Sequence, residues 1–393
     1  MKKQLIAMAA AVTLIPSVSA ADIAPLTVSV DRAASPYVAE VYEYCPAPGQ
    51  FVNRMPVYAE GDTHADMCRK ALDAIAGTAG GMVSLGSFGG YITMGFDHTV
   101  DNVAGQADFA VLGNAFFDSK ALAGEGGSCE PGIIMVSRDV NGNGLPDDPW
   151  YEILGTATGT TPGYTVTYHR PDPGHKPSVS DPASGYDDDE YIRWTASGGA
   201  SGYMPHLIIN PGDYYPQWAA EATLSFTGRR IADNTVLEQH GRFKEWVGYP
   251  AGLGYADCWP NDDSRAGIDI GRAVDADGRP ANLDGIDFVR VYTAVHQQAG
   301  ALGEISTEVC GMVDLHLAAG IAEPEAVAAR AFFAGDRLRV LGARAGSLIE
   351  IYDISGRLRH TALADGAVDD IDVHLPAGIY LVRFGTHTIR AAK

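Results

Sequence analysis

Asp139, Asn141, Asn143, Asp147 and Asp148 place oxygen-bearing side chains at alternate positions around Gly142 and close the segment 139–148 with two carboxylates. That is a donor pattern for a hard cation. Calcium takes roughly six to eight oxygens at about 2.3–2.6 Å, and a D-x-N-x-N-G loop folds side chains and a main-chain carbonyl onto it. The expected ligands are Asp139, Asn141, Asn143, the carbonyl of Leu145, Asp147 and Asp148, with calcium in a structural role. An EF-hand needs a bidentate Glu at its last position, where this chain has Trp150, so the match is partial. A solvated Asn/Gly turn that binds nothing has the same composition, because these residues favour turns for backbone reasons alone.

Aromatic side chains supply the second candidate chemistry. Between residues 191 and 259 there are twelve aromatics in 69 positions, about double the chain's 9%, including Trp194, Trp218, Trp246 and Trp259. Aromatic faces stack on sugars or flat ring systems and bury large areas with few rotatable bonds to freeze. Tyr214, Tyr215 and Trp218 lie between Gly212 and Ala219 without strand alternation and read as an exposed loop. With Trp246 and Trp259 they form the expected ligand-binding set, although a β-sandwich core is the commoner fate of any one of them. The acidic runs 187–190, 257–263 and 275–278 read as solvated loops rather than ion sites.

Catalytic chemistry is not legible. The chain has no G-x-S-x-G, no H-E-x-x-H, no cysteine with a credible histidine partner and no phosphate-binding glycine loop. A pair of glycosidase carboxylates leaves no trace that could be picked out among 49 acids. The expectation is a binding protein, with a polysaccharide-acting enzyme as the weakest alternative.

The elements that would position these groups are mostly strands. Residues 1–20 carry Lys2 and Lys3, an apolar stretch from Leu5, a break at Pro16 and Val18-Ser19-Ala20, the pattern of a secretory signal. No later apolar run reaches the roughly 20 residues of a membrane helix. The net charge is −21, and −23 without the signal's two lysines, which excludes nucleic acid as an expected partner. Five cysteines, with no C-x-x-C pair, exclude a zinc ribbon or thioredoxin motif and allow up to two disulfides of undetermined pairing.

Thr63-x-x-Asp66 reads as a capping box opening a helix with Met67, Ala71, Leu72 and Ile75 on one face and Gly77 as its stop. From Met82 onward short β runs recur between Gly, Pro, Asn and Asp clusters. In the run 91–96, Ile92, Met94 and Phe96 face one way. This predicts an all-β, jelly-roll-like sandwich over residues 21–317 with one short helix, an Ala-rich linker over 318–329 and a small β-sandwich over 330–393.

Three resemblances add to this reading. The segment 139–148, flanked by β runs 132–137 and 150–153, resembles the single calcium loops of dockerins and thrombospondin type 3 repeats. Residues 330–393 resemble the type A sorting domain of type IX secretion cargo in Bacteroidetes. Tyr352-Asp353-Ile354-Ser355-Gly356-Arg357 and Leu375-Pro376-Ala377-Gly378-Ile379-Tyr380-Leu381-Val382-Arg383 carry that likeness, and Ile389-Arg390-Ala391-Ala392-Lys393 departs from the usual Lys-rich end. It implies passage across the outer membrane by the type IX machinery, loss of this domain and a cell-surface or extracellular location. Residues 41–317 resemble a family of Bacteroidetes cell-surface proteins, through the stretches 44–53, 89–98, 108–116 and 129–132 and the loop 139–148. Members of that family tend to accompany vitamin B12 uptake genes, which implies a corrinoid as the small ligand captured at the surface; a glycan is the alternative that the aromatic residues suggest.

Overall fold

Alternation of apolar and polar residues between glycine and aspartate turns builds antiparallel strands throughout this protein. The structure is a computed structural model that describes residues 34–77, 80–320, 330–334, 336–341, 348–353, 357–364, 368–384 and 387–393. The expected signal segment 1–20, residues 321–329 of the expected linker and Ile354, Ser355 and Gly356 of the sorting-domain turn lie outside the described residues.

The elements that matter for the site are β1 (Glu40–Cys45), α1 (His64–Ile75), β2 (Tyr91–Asp101), β3 (Phe109–Leu112), β4 (Gly132–Ser137), β5 (Trp150–Ile153), β6 (Thr161–His169), β7 (Tyr186–Ala196), β8 (Ser201–Leu207), β9 (Thr223–Arg230), β10 (Gly285–Thr293), β11 (Gly311–Asp314) and α2 (Leu315–Gly320). A central antiparallel sheet runs β1-β2-β10-β4-β5 and continues to the short strand Ala273–Val274. A second sheet runs β8-β7-β6-β9. The protein is an all-β sandwich.

One face of the central sheet, with Ile92, Met94, Ile134, Val136, Val289 and Val291, packs on Met67, Cys68, Ala71 and Ile75 of α1. That helix forms where the capping box places it: the Thr63 hydroxyl accepts the Asp66 N–H, and the Asp66 carboxylate accepts the Thr63 N–H. The two sheets meet through Phe88, edge-on to Tyr164 of β6 at 5.2 Å and to Tyr292 of β10 at 6.4 Å. Gly228 permits this approach, since a Cβ there would lie 2.9 Å from the Tyr292 ring.

Two expectations need correcting. The β run expected over 91–96 is longer, since β2 continues to Asp101 because β10 pairs with it as far as Gly285. Residues 318–320, expected to begin the linker, complete α2, whose first turn is held by Asp314 accepting the His316 and Leu317 N–H groups.

Among the described residues, the strands of 330–393 pair only with one another, in two small sheets. Their core contains Leu338, Val340, Ile349, Ile351, Tyr380, Val382 and Phe384 and, among the described residues, draws on none before 331. Along Ile379–Phe384 the side chains alternate out and in, as a strand with one buried face requires.

Candidate functional site

The β4–β5 hairpin joins the loop 139–148 to a hollow on the face of the central sheet. The loop's side chains organise its own backbone. Asp139 accepts the Gly142, Asn143 and Gly144 N–H groups at 2.7–3.2 Å, and Asp148 accepts that of Val140 at 2.9 Å. Asn141 and Asn143 each donate to Asp147 at 3.0 Å, holding its carboxyl below the usual carboxylate range. Leu145 offers a carbonyl that accepts the Asp147 N–H at 2.9 Å. The donors are hard oxygens, and an ionised Asp147 stands among them, so the set fits calcium better than a soft metal. Asp287 of β10 anchors the loop by accepting the Asp139 N–H at 2.8 Å and pairing with Arg138 at 3.2 Å. Trp150, at the EF-hand Glu position, goes elsewhere.

Strand alternation sends Trp150 and Glu152 of β5 to the face of the central sheet away from α1. There they line a hollow of about 490 Å³ with Tyr91, Met135, Arg290, Tyr292, Phe226 and Arg229. Arg290 is sandwiched between the Tyr91 ring at 4.8 Å and the Trp150 ring at 4.5 Å. Its Nε donates to Thr93 at 2.8 Å and its Nη2 pairs with Glu43 at 2.5 Å. Opposite, Arg229 of β9 pairs with Glu152 at 2.7 Å, and its backbone N–H donates to the Tyr292 hydroxyl at 2.9 Å. The hollow therefore combines aromatic faces with planar charged groups whose orientation is already set, in a protein that is otherwise strongly acidic. A second hollow of about 440 Å³ holds His175, His206, Asp187, Asp188 and Asp213. Each of its imidazoles is engaged by a carboxylate at 2.5 Å.

Beneath the surface lies a cluster that the sequence did not announce. Carboxylate oxygens of Glu130, Asp257 and Glu308 lie within 4.8 Å of one another. Asp257, at φ +50, accepts the Asn114 and Ala115 N–H groups at 2.9 Å and that of Glu308 at 3.0 Å. Gly113 leaves room, because a Cβ there would lie 2.3 Å from the Asp257 carboxyl. Burial, joined by the mutual repulsion of these acids, pushes Glu130 and Asp257 well above the usual range, and burial also raises Glu308. Such a set either shares protons, as the Glu130–Glu308 hydrogen bond does, or holds a hard cation. In both states it ties four distant chain segments together. Nearby Glu304 is buried too; its Oε1 accepts the Gln50 N–H at 2.7 Å, its Oε2 has no hydrogen-bond partner among the described residues, and burial pushes the group up to about 8.

The five aromatics expected to bind ligand do not converge. Tyr214 and Tyr215 are 0% and 3% exposed, inside the second sheet's core rather than on an open loop. Their hydroxyls donate to the Asn210 carbonyl at 3.1 Å and the Glu221 carbonyl at 3.0 Å. Trp218 packs on the central core, stacked with Tyr44 at 5.5 Å and Tyr58 at 6.2 Å. Trp246 and Trp259 belong to a third cluster, where Trp259 donates to the Gly252 carbonyl at 2.8 Å and lies under Arg265 at 3.8 Å. Asp257 likewise leaves the class of solvated acids. The physical reason is common to all: large rings and acids with enough internal partners are buried when two sheets close over them.

Two signals pointed to the hollow. Trp150 and Glu152 alternate across Tyr151, and Arg290 interrupts the apolar run Val289–Val291. Glu308 in the run Thr307-Glu308-Val309 was a comparable break. No protein-family model matches this chain, and no curated protein matches it.

Proposed function

We propose that this protein is a secreted, cell-surface binding protein that captures a carbohydrate in the hollow between β5, β9 and β10, with calcium stapling the hairpin that carries one wall. The observation that carries this reading is the Tyr91–Arg290–Trp150 stack facing the Arg229–Glu152 pair. Sugars are recognised by an aromatic face for their C–H side and by oriented planar hydrogen-bonding groups for their hydroxyls. Here both are held in place before the ligand arrives, so little side-chain freedom remains to be lost. Calcium would be held by Asp139, Asn141, Asn143, Leu145, Asp147 and Asp148, where it would fix the turn from which Trp150 emerges. Residues 330–393 serve, in the same proposal, as the type IX sorting domain removed on export.

A corrinoid is the rival ligand, supported by the resemblance described above. The volume favours the smaller guest, since 490 Å³ lies in the lower part of the roughly 300–1,000 Å³ range of small-molecule sites. Titration calorimetry of the full chain against an oligosaccharide panel and cyanocobalamin separates the two. The expected result is heat with a glycan and about tenfold weaker binding by Trp150→Ala, a change of about 1.4 kcal/mol. Heat with cyanocobalamin alone transfers the site to the corrinoid, and no heat with either sinks the binding reading.

A further inference from the structure

His98 stands where the two ends of the body meet. Its ring lies on β2, with Nδ1 at 2.9 Å from Asp97 and Nε2 at 2.8 Å from Asp314, the last residue of β11. Each carboxylate in turn holds backbone. Asp97 accepts the Ser35 N–H at 3.1 Å, and Asp314 accepts the His316 and Leu317 N–H groups of α2 at 2.7 and 3.1 Å. The same two ends touch directly, since the Asp314 N–H donates to the Pro36 carbonyl at 2.7 Å and Tyr37 bridges to Val313. Among the described residues, α2 is the last element before Arg330.

We propose that His98 is a pH-sensitive latch, which as an imidazolium ties the start of the body, through Asp97, to α2, through Asp314, and which uncouples the two on losing a proton. A carboxylate only accepts hydrogen bonds, so a ring that meets one at each nitrogen has to donate at both. The neutral ring has one N–H, and its other nitrogen then presents a lone pair to a carboxylate. That contact is repulsive, so one of the two ties is given up. Asp314 is 4% exposed and Asp97 37% exposed, and the partner that water can solvate in place of the ring is Asp97. His316 supplies the contrast. Its Nε2 meets Asp108 at 2.8 Å, a single contact that a neutral imidazole also makes.

The surroundings of His98 favour the charged ring. Burial lowers its basicity, but the hydrogen bonds and negative charges of Asp97 and Asp314 outweigh this, so the ring titrates above its ordinary 6.5. The other charged groups of the neighbouring elements are turned elsewhere. Asp287 of β10 is taken up by Thr99 and Arg138, Asp108 before β3 by His316, and Glu40 of β1 is exposed. The segment 35–37 carries Tyr37 as its one titratable side chain. Because the folded value is raised, the tie is complete below about pH 6.5 and is lost as pH rises through the folded value. The attachment of α2, and with it the exit from the body toward residues 330–393, thereby becomes sensitive to alkaline conditions.

The test uses the full chain and two readouts. In nitrogen NMR, both His98 ring nitrogens should be protonated at about pH 6, with a midpoint above 6.5. Asp97→Asn, at an exposed position, removes one negative partner and should lower that midpoint by about one unit. In amide exchange corrected for intrinsic rates, Ser35, His316 and Leu317 should lose at least about tenfold in protection relative to β10 as pH passes the midpoint. His98→Gln should show the lower protection already at about pH 6 and no further loss relative to β10. A midpoint at or below 6.5, or wild-type amides at these positions that track β10 throughout, overturns the proposal. So does a wild-type pH response in His98→Gln; if that variant does not fold, the wild-type and Asp97→Asn measurements decide alone.

Discussion

Arg290 and Glu304 show how single groups are tolerated inside this sandwich. Arg290 lies mid-strand, yet two rings and an acid-hydroxyl pair absorb its charge. Glu304 has no cation and is pushed from 4.5 up to about 8 by burial. Below about pH 4.5 it is protonated folded and unfolded alike, and its burial carries no ionisation penalty. As pH rises through the window up to about 8, the unfolded chain ionises first and stability falls, by on the order of a few kcal/mol. Glu130, Asp257 and Glu308 act in the same direction. The melting temperature should therefore drop between about pH 5 and about pH 8, and Glu304→Gln should flatten part of that slope. A rise in stability over the same range would show that the four acids are ionised and neutralised, as a bound cation would do.

At the scale of elements, the β4–β5 hairpin and α1 are specified by local chemistry. A cation that binds only the folded loop 139–148 adds about 2.7 kcal/mol when free calcium is about 100 times its dissociation constant. Chelation should lower the melting temperature accordingly, and Asp139→Ala should remove the calcium response; an unchanged midpoint returns the loop to a polar turn. In α1 the Thr63 cap satisfies the Asp66 N–H. Thr63→Ala should cost about 1 kcal/mol in denaturant unfolding, with the slope against denaturant unchanged.

At the scale of the molecule, the body and residues 330–393 use separate sets of core side chains. Among the described residues, the C-terminal strands also pair only with one another. Deleting residues 330–393 should consequently shift the body's melting transition by no more than a degree or two, on the order of what a few tenths of a kcal/mol produce in a domain this size. A large downward shift would mean that the two parts share stabilisation.

The sequence by itself determined the all-β class, the capped helix and the strand alternation of residues 91–96. Each of these is decided by side chains within one turn or one pleat of each other. Only the tertiary structure decided where the aromatics and acids went. Tyr214 and Trp218 are four residues apart in sequence, yet they enter different cores. Tyr91, Trp150 and Arg290 come from three strands and meet in one stack, and Glu130, Asp257 and Glu308 meet although Glu130 and Glu308 are 178 positions apart. Sheet closure sets those meetings, because side chains brought together by pairing across a sheet are separated by loops that no local periodicity spans.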